Sequence, residues 1–325
     1  MNRRDAVIAL LALGASPSSF AQQPARVWRI GMLDTTAMAS NAANVDAFRK
    51  GLQELGYVEG RNYVLEYRSA DGPNERFPEL ASELVRLKVD LIVTRGTPAT
   101  QGCQKATTTI PVVTTAVGDP VATVLIANLA RPGGNITGLT SITSDLVGKR
   151  LQLLKEIVPA LARIVYMSNM GNPSVPAAWK EAEKAARSTG IQPLLADVRK
   201  REDLAPAFED AVKRRAGALI VGNDGLTQTH GKLIVELAAR HRLPAIFSAR
   251  DYVIDGGLIS YGVSYADMYR RAASYVDRIF KGARPGDLPM EQPTKFDMMI
   301  NLKTAKALGL TIPQSVLLRA DQVIE

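Results

Sequence analysis

The chain spells out one strand–helix series twice. In its first half, "RIGML" (29–33), "YVLEYRSA" (63–70), "DLIVTRG" (90–96) and "IPVVTTAVG" (110–118) are short runs rich in β-branched and apolar residues. Between them, apolar side chains return at helical spacing: Val45, Phe48, Leu52 and Leu55 before Gly56, then Phe77, Leu80, Leu84 and Leu87. The second half repeats the plan with "RIVYMSN" (163–169), "PLLADV" (193–198), "ALIVGND" (218–224) and "LPAIFSAR" (243–250). Its intervening helical stretches are "KEAEKAARSTGI" (180–191) and the run carrying Leu204, Phe208 and Ala211. Ile30 and Ile164 stand 134 positions apart, Leu91 and Leu219 128, and Pro111 and Pro244 133. Strands alternating with helices require right-handed crossovers and parallel pairing. The predicted fold is therefore α/β, with two similar doubly wound parallel-sheet lobes.

Three extended passages connect the halves. "NITGLTSIT" (135–143) leads into a helix carrying Leu146, Val147, Leu154 and Ile157. "GLISYGVS" (257–264) leads out again, and Ser264 with Asp267 forms a capping-box pattern for the helix of Met268, Ala272, Val276 and Ile279. The Pro-bounded "PMEQPTKFDMMIN" (289–301) makes the third passage. Three such strands make a hinge, centred on Gly138 to Thr140 and Tyr261 to Gly262. Residues 22–140 plus 263–290 are expected to form the first lobe, and 141–262 plus 291–325 the second. Ligands of open α/β sheets bind at the carboxyl ends of the strands, so facing sheets create a cleft that can close on a small molecule.

Residues 1–21 read as a cleavable export signal: Arg3-Arg4, an apolar run from Ala6 to Ala15, and Ser19-Phe20-Ala21 before Gln22. The paired arginines suit a twin-arginine route as well as the general secretory one, and the expected location is the periplasm. Cys103 is the only cysteine, so no intramolecular disulfide forms and no processed cysteine carries a lipid. The net charge is +8, but the basic residues are scattered among acids, which argues against a nucleic-acid footprint. His230 and His241 lie apart from Cys103, and no metal-ligand spacing occurs. "GLTQTHGKL" (225–233) departs from a phosphate-binding loop, with five residues between its glycines and Leu233 after Lys232. Asp34-Thr35-Thr36 replaces the glycines of a dinucleotide fingerprint. No catalytic set and no cofactor motif is present, so the expectation is a binding protein and not an enzyme.

Polar residues do cluster where strands end. Asp34 and Thr35 follow the first strand. Thr97-Pro98 fits a helix start, with the amides of Ala99 and Thr100 favouring a carboxylate. Asn223 and Asp224 hold the matching place in the second half, Asn169 and Asn172 follow its first strand, and Tyr261 sits in the second hinge passage. Each of these also suits a cap or a turn, but their recurrence at equivalent strand ends marks the set as candidate ligand contacts.

"VGDPVATVLIANLARPGGNITGLT" (117–140) resembles the Asp-Pro-Val and Arg-Pro-Gly-Gly-Asn-x-Thr-Gly pattern of the TrpX-like substrate-binding proteins of ABC transporters. "KRLQLLKEIVP" (149–159), "YADMYRRAASYVDRIFKGARPGDLP" (265–289) and "FDMMINLKTAKALGLTIP" (296–313) are similar to the same family. The resemblance implies a type I periplasmic binding protein fold, a small amino-acid-like or related polar metabolite as ligand, and a membrane permease of an ABC importer as partner to a monomer. A periplasmic sensor feeding a receptor is the alternative. Asp119 is expected to cap a helix over the Asp-Pro stretch, where it serves as a structural cap or as partner to a ligand ammonium. Val124-Leu125 departs from the Gly-Leu pair expected there.

Overall fold

The computed structural model describes residues 26–142 and 144–325; the export-signal stretch 1–21 lies outside the described residues. Five strands form the first sheet: β1 (Trp28–Asp34), β2 (Tyr63–Ser69), β3 (Leu91–Arg95), β4 (Val112–Val117) and β5 (Ile136–Thr140). They are all parallel, in the order β2-β1-β3-β4-β5. Helices α1 (Ala42–Glu54), α2 (Phe77–Arg86) and α3 (Thr97–Ala106) make the crossovers. Alternation along the strands divides the core. Ile30, Met32, Leu91 and Val93 pack with Val45 and Phe48 of α1, whereas Leu33 and Ile92 pack with Leu80 and Leu84 of α2 and with Cys103 of α3. Strands β3 and β4 are buried throughout, as a sheet covered on both faces demands.

After α4 (Asp145–Ile157) the plan recurs through β6 (Arg163–Ser168), α5 (Val175–Ser188), β7 (Gln192–Asp197), α6 (Leu204–Lys213) and β8 (Ala218–Val221). There follow α7 (Gly225–Thr229), α8 (Gly231–Arg240), β9 (Ala245–Phe247), α9 (Asp251–Ile254) and β10 (Ile259–Val263). The chain then crosses back, and α10 (Tyr265–Phe280) packs along α1, with Arg270 paired to Glu54 at 2.8 Å. It returns to complete the second sheet with β11 (Phe296–Asn301), α11 (Leu302–Leu308), α12 (Gln314–Leu317) and β12 (Gln322–Ile324). That sheet runs β12-β11-β10-β9-β8-β6-β7, with only β10 and β11 antiparallel. Its β7-β6-β8-β9-β10 portion has the strand order of the first sheet. The fold is two doubly wound α/β lobes joined by three crossings.

The crossings are tight. At the third, the Thr140 amide donates to Glu291 and the Glu291 amide to Gly138. A Cβ on Gly138 would lie 2.2 Å from the Thr114 carbonyl oxygen, and one on Gly262 would lie 1.9 Å from that of Ser248. The last strand before each of the first two crossings therefore presses on its neighbour at a position that admits only glycine.

Two local expectations are corrected. Residues 118–135 form no helix. After one turn, Val124 adopts φ 57°, its amide bonds the Val121 carbonyl, and the Leu125 amide bonds that of Pro120, a Schellman closure. Asp119 thus caps a turn, accepting from the Val121 and Ala122 amides at 3.2 and 3.0 Å. At α10, Ser264 holds the N-cap position but its hydroxyl makes no capping bond.

Candidate functional site

In a sheet ordered 2-1-3-4-5 the crossovers leave to opposite faces on either side of strands 1 and 3, which opens a crevice at their carboxyl ends. Here the crevice of the first lobe is bounded by Asp34-Thr35 and Arg95-Gly96-Thr97. That of the second is bounded by Ser168-Asn169 and Gly222-Asn223-Asp224. The two face each other. Thr35, Arg95, Gly96 and Thr97 from the first lobe and Asn172, Asn223, Asp224 and Gln228 from the second line one cavity of about 30 Å³. The lobes are in contact around it. The Tyr265 hydroxyl donates to Asn223 at 2.7 Å, and a Cβ on Gly118 would meet that of Ser174 at 2.5 Å. A larger cavity of about 650 Å³ lies alongside, with Arg95, Gln228 and Tyr265 as the shared wall.

On the first-lobe side the dominant feature is a buried ion pair. Asp34 meets Arg95 at 3.0 Å, and both side chains are almost wholly buried. Its remaining capacity is taken by the amides of Thr35 and Thr36 at 2.7 and 3.3 Å, by Asn41 at 2.9 Å and by the Tyr269 hydroxyl. Burial is the largest influence and works against the Arg95 charge, but Asp34 together with the nearby Tyr269, Tyr265 and Tyr67 holds the guanidinium above its ordinary pKa. Next to it, α3 begins. Gly96, at φ 86°, is its N-cap, so Thr97 and Pro98 are the first helical residues and Thr97 is not the cap expected from sequence. The Thr97 hydroxyl accepts from the Gly118 amide at 3.2 Å, and the Thr100 amide bonds the Gly96 carbonyl. The expected use of the Thr100 amide by a carboxylate therefore falls away. The amides of Thr97 and Ala99 remain outside the intrahelical pattern.

On the second-lobe side Asp224 is 3% exposed. It caps α7 by accepting from the Leu226 amide at 2.8 Å, and its other oxygen accepts from Asn172 at 2.8 Å. Among the described residues no cation lies within ion-pair distance of it. Burial raises its pKa, while the bonds from Asn172 and the local amides work the other way. Tyr166 and Tyr252 lie near it, and burial keeps both neutral, Tyr166 at about 12.

The sequence candidates thus separate. Thr35, Thr97, Asn223 and Asp224 line the cavity itself. Asp34 stands behind it as partner of Arg95, and Asn169 behind Asp224, its side chain accepting from the Gly171 amide. Ala99 is buried in the first turn of α3. Asp119 lines a different cavity, of about 200 Å³, beside Thr140 and Gln292. Tyr261 lines neither interlobe cavity; its ring stacks on Phe296 and its carbonyl accepts from Arg150 at 2.8 Å. Arg95, Gln228 and Tyr265 were not singled out from sequence. For Arg95 a signal existed, namely a charge two residues after the apolar Leu91-Ile92-Val93, at the carboxyl end of a strand run.

A sequence profile of the family described as ABC transporter substrate binding protein matches residues 30–324. The chain belongs to that family. The tyrosine-binding protein of Clostridioides difficile (strain R20291) is 27% identical over 263 residues, which are 81% of this chain and 75% of that relative. A conserved domain protein of Vibrio cholerae is 29% identical, with a TM-score of 0.86 over 91% of this chain and 99% of that one. An ABC domain from Streptococcus pneumonia, in complex with L-Trp, is 26% identical, with a TM-score of 0.84 over the same shares. This substrate-binding protein therefore has the type I periplasmic binding protein fold and is not an enzyme. Among the described residues, no group of His, Cys, Asp or Glu could hold a metal ion, and no helix is long and apolar enough to cross a membrane.

Proposed function

We propose that this chain is the exported solute receptor of an ABC importer and that it binds an amino-acid-like molecule between its lobes. Under this proposal residues 1–21 direct export to the periplasm. The lobes that close are 22–140 plus 263–290 and 141–262 plus 291–325. The observation that carries the reading is Asp224: a buried carboxylate, at the strand ends that face the other lobe, with no cation among the described residues to balance it. A ligand ammonium supplies that balance. Across the cavity, the start of α3 offers the amides of Thr97 and Ala99 to a carboxylate. Asn223 and Thr35 add hydrogen bonds, and Asn169 and Asn172 hold Asp224 in place. Asp119 is then a turn cap only.

The cavity between the anchors has room for about two waters, so the ligand enters while the lobes stand apart. The hinge glycines support such a motion, since each lies in the strand before a crossing. The relatives that bind tyrosine and L-Trp make these two the first ligands to try.

A thermal-shift panel of amino acids tests the proposal. A ligand at 100 times its dissociation constant adds about 2.7 kcal/mol of stability, which such a scan resolves. Stabilisation by one or more α-amino acids is expected. A panel in which none raises the melting temperature would sink the reading.

A further inference from the structure

Arg95 ends β3 and is only 5% exposed, yet it lines both interlobe cavities. Its Nη2 group is fully engaged, by Asp34 at 3.0 Å and by the hydroxyls of Thr35 and, at 3.3 Å, Thr36. The ring of Tyr265 lies beside the guanidinium, 5.3 Å from Cζ to centroid. These contacts fix the group in one place. Its buried Nε–H nevertheless has no acceptor. Were the ion pair only structural, the arginine fork would be expected to grip Asp34 with two nitrogens, the frequent geometry of such pairs. Instead one nitrogen is spent, and the Nε–H is left over.

The protein itself does not complete this arginine. Asp34 already accepts from six donors. Asp224 lines the smaller cavity and Asp251 and Asp255 the larger, but none lies within ion-pair distance of Arg95. A buried guanidinium N–H without an acceptor is costly, and a planar acceptor suits it best. We propose that Arg95, positioned by Asp34, recognises a carboxylate of the bound ligand through its Nε–H. The inference rests on the proposal that an amino-acid-like molecule occupies the cleft, and it names the first-lobe residue that selects it. Asp224 belongs to the second lobe, so the two opposite charges of a zwitterion are then read one from each lobe. A simple amine satisfies only half of the site and cannot tie the lobes together.

Two experiments test the role of Arg95. In the ¹⁵N-labelled protein, the Nε–Hε signal of Arg95 is identified by its loss in Arg95→Lys. Titration with sodium acetate at constant ionic strength should move that signal saturably, and sodium chloride should not. A signal that does not respond to acetate overturns the proposal. The second experiment compares L-tyrosine with tyramine, which lacks only the carboxylate. The wild type should prefer L-tyrosine by roughly ten- to a hundredfold, the worth of one charge-assisted hydrogen bond. In Arg95→Lys most of that preference should vanish, through a larger loss for L-tyrosine than for tyramine. A preference retained in full by the variant overturns the proposal. Failure of every amino acid in the panel to bind wild type would instead strike the amino-acid reading, and the acetate titration would still decide Arg95.

Discussion

Replacing Asp224 with asparagine removes the charge and leaves most of the geometry. The side-chain carbonyl of the introduced asparagine can still accept from the Leu226 amide, so α7 keeps its cap, and asparagine caps about as well as aspartate. The difficulty lies at Asn172, whose amide group now donates to the second Asp224 oxygen. To avoid opposing two donors, Asn172 must turn over and surrender the bonds its own oxygen accepts from Ser174, at 3.1 and 2.9 Å. The loss of a typical hydrogen bond costs about 1 kcal/mol, partly offset because a buried charge is no longer held. Stability of the free protein should therefore change by about 1 kcal/mol or less. Ligand binding should suffer more. A charge-assisted bond to a ligand ammonium is worth about 1.5–3 kcal/mol, or roughly ten- to a hundredfold in dissociation constant. Calorimetric titration of wild type, Asp224→Asn and Asp224→Ala with the best ligand from the amino-acid panel measures this. Asp224→Ala should lose affinity to a similar degree and lose the cap as well. If Asp224→Asn binds as tightly as wild type, no ammonium sits at Asp224 and the proposed polarity of the site is wrong.

Because burial raises the Asp224 pKa in the folded protein, the free protein holds this proton more tightly than the unfolded chain, and its stability falls as pH rises from the ordinary carboxylate range through the raised value. An ammonium ligand needs the ionised form, so affinity should rise over the same window and then level off. Calorimetry across pH checks this, and a flat profile in the wild type would refute it. Val124 is 79% exposed and holds a left-handed conformation, which costs a β-branched residue about 1–2 kcal/mol. Val124→Gly should therefore stabilise the protein by about 0.5–1 kcal/mol, once the greater chain entropy of glycine is counted. Its urea midpoint should rise; an unchanged or lower midpoint would contradict the turn geometry. Gly262→Ala should lower that midpoint, through a stability loss of about 1–3 kcal/mol or more, because its Cβ would meet the Ser248 carbonyl oxygen at 1.9 Å. Wild-type stability in this variant would mean that β10 does not press on its neighbour as described.

The doubled fold was legible because its signals are local and periodic. The runs ending at Leu33, Gly96, Asn169 and Asp224 are short, largely apolar and punctuated, and with the helical stretches between them they suffice to place parallel sheets. The lining of the candidate cavity was legible where strand ends and polar residues coincide, as at Thr97 and Asp224. It failed where the outcome depended on residues distant in sequence. Arg95 looks like an ordinary charge until Asp34, a strand away, buries and pairs with it. Asp119 misled for the opposite reason. Asp-Pro at one end and Pro-Gly-Gly at the other are sound helix punctuation, but the segment closes after one turn at Val124, a residue type that does not announce a left-handed conformation. Ser264 shows the same limit: capping chemistry was present without the rotamer that uses it.

The central claim is that one small molecule is held by both lobes at once, and a crystal structure of the complex tests it most directly. Crystals grown with the tightest-binding amino acid should show it between the strand ends, its ammonium at Asp224 and its carboxylate against Arg95 and the start of α3. Density seated on one lobe alone, or outside the cleft, would contradict the account.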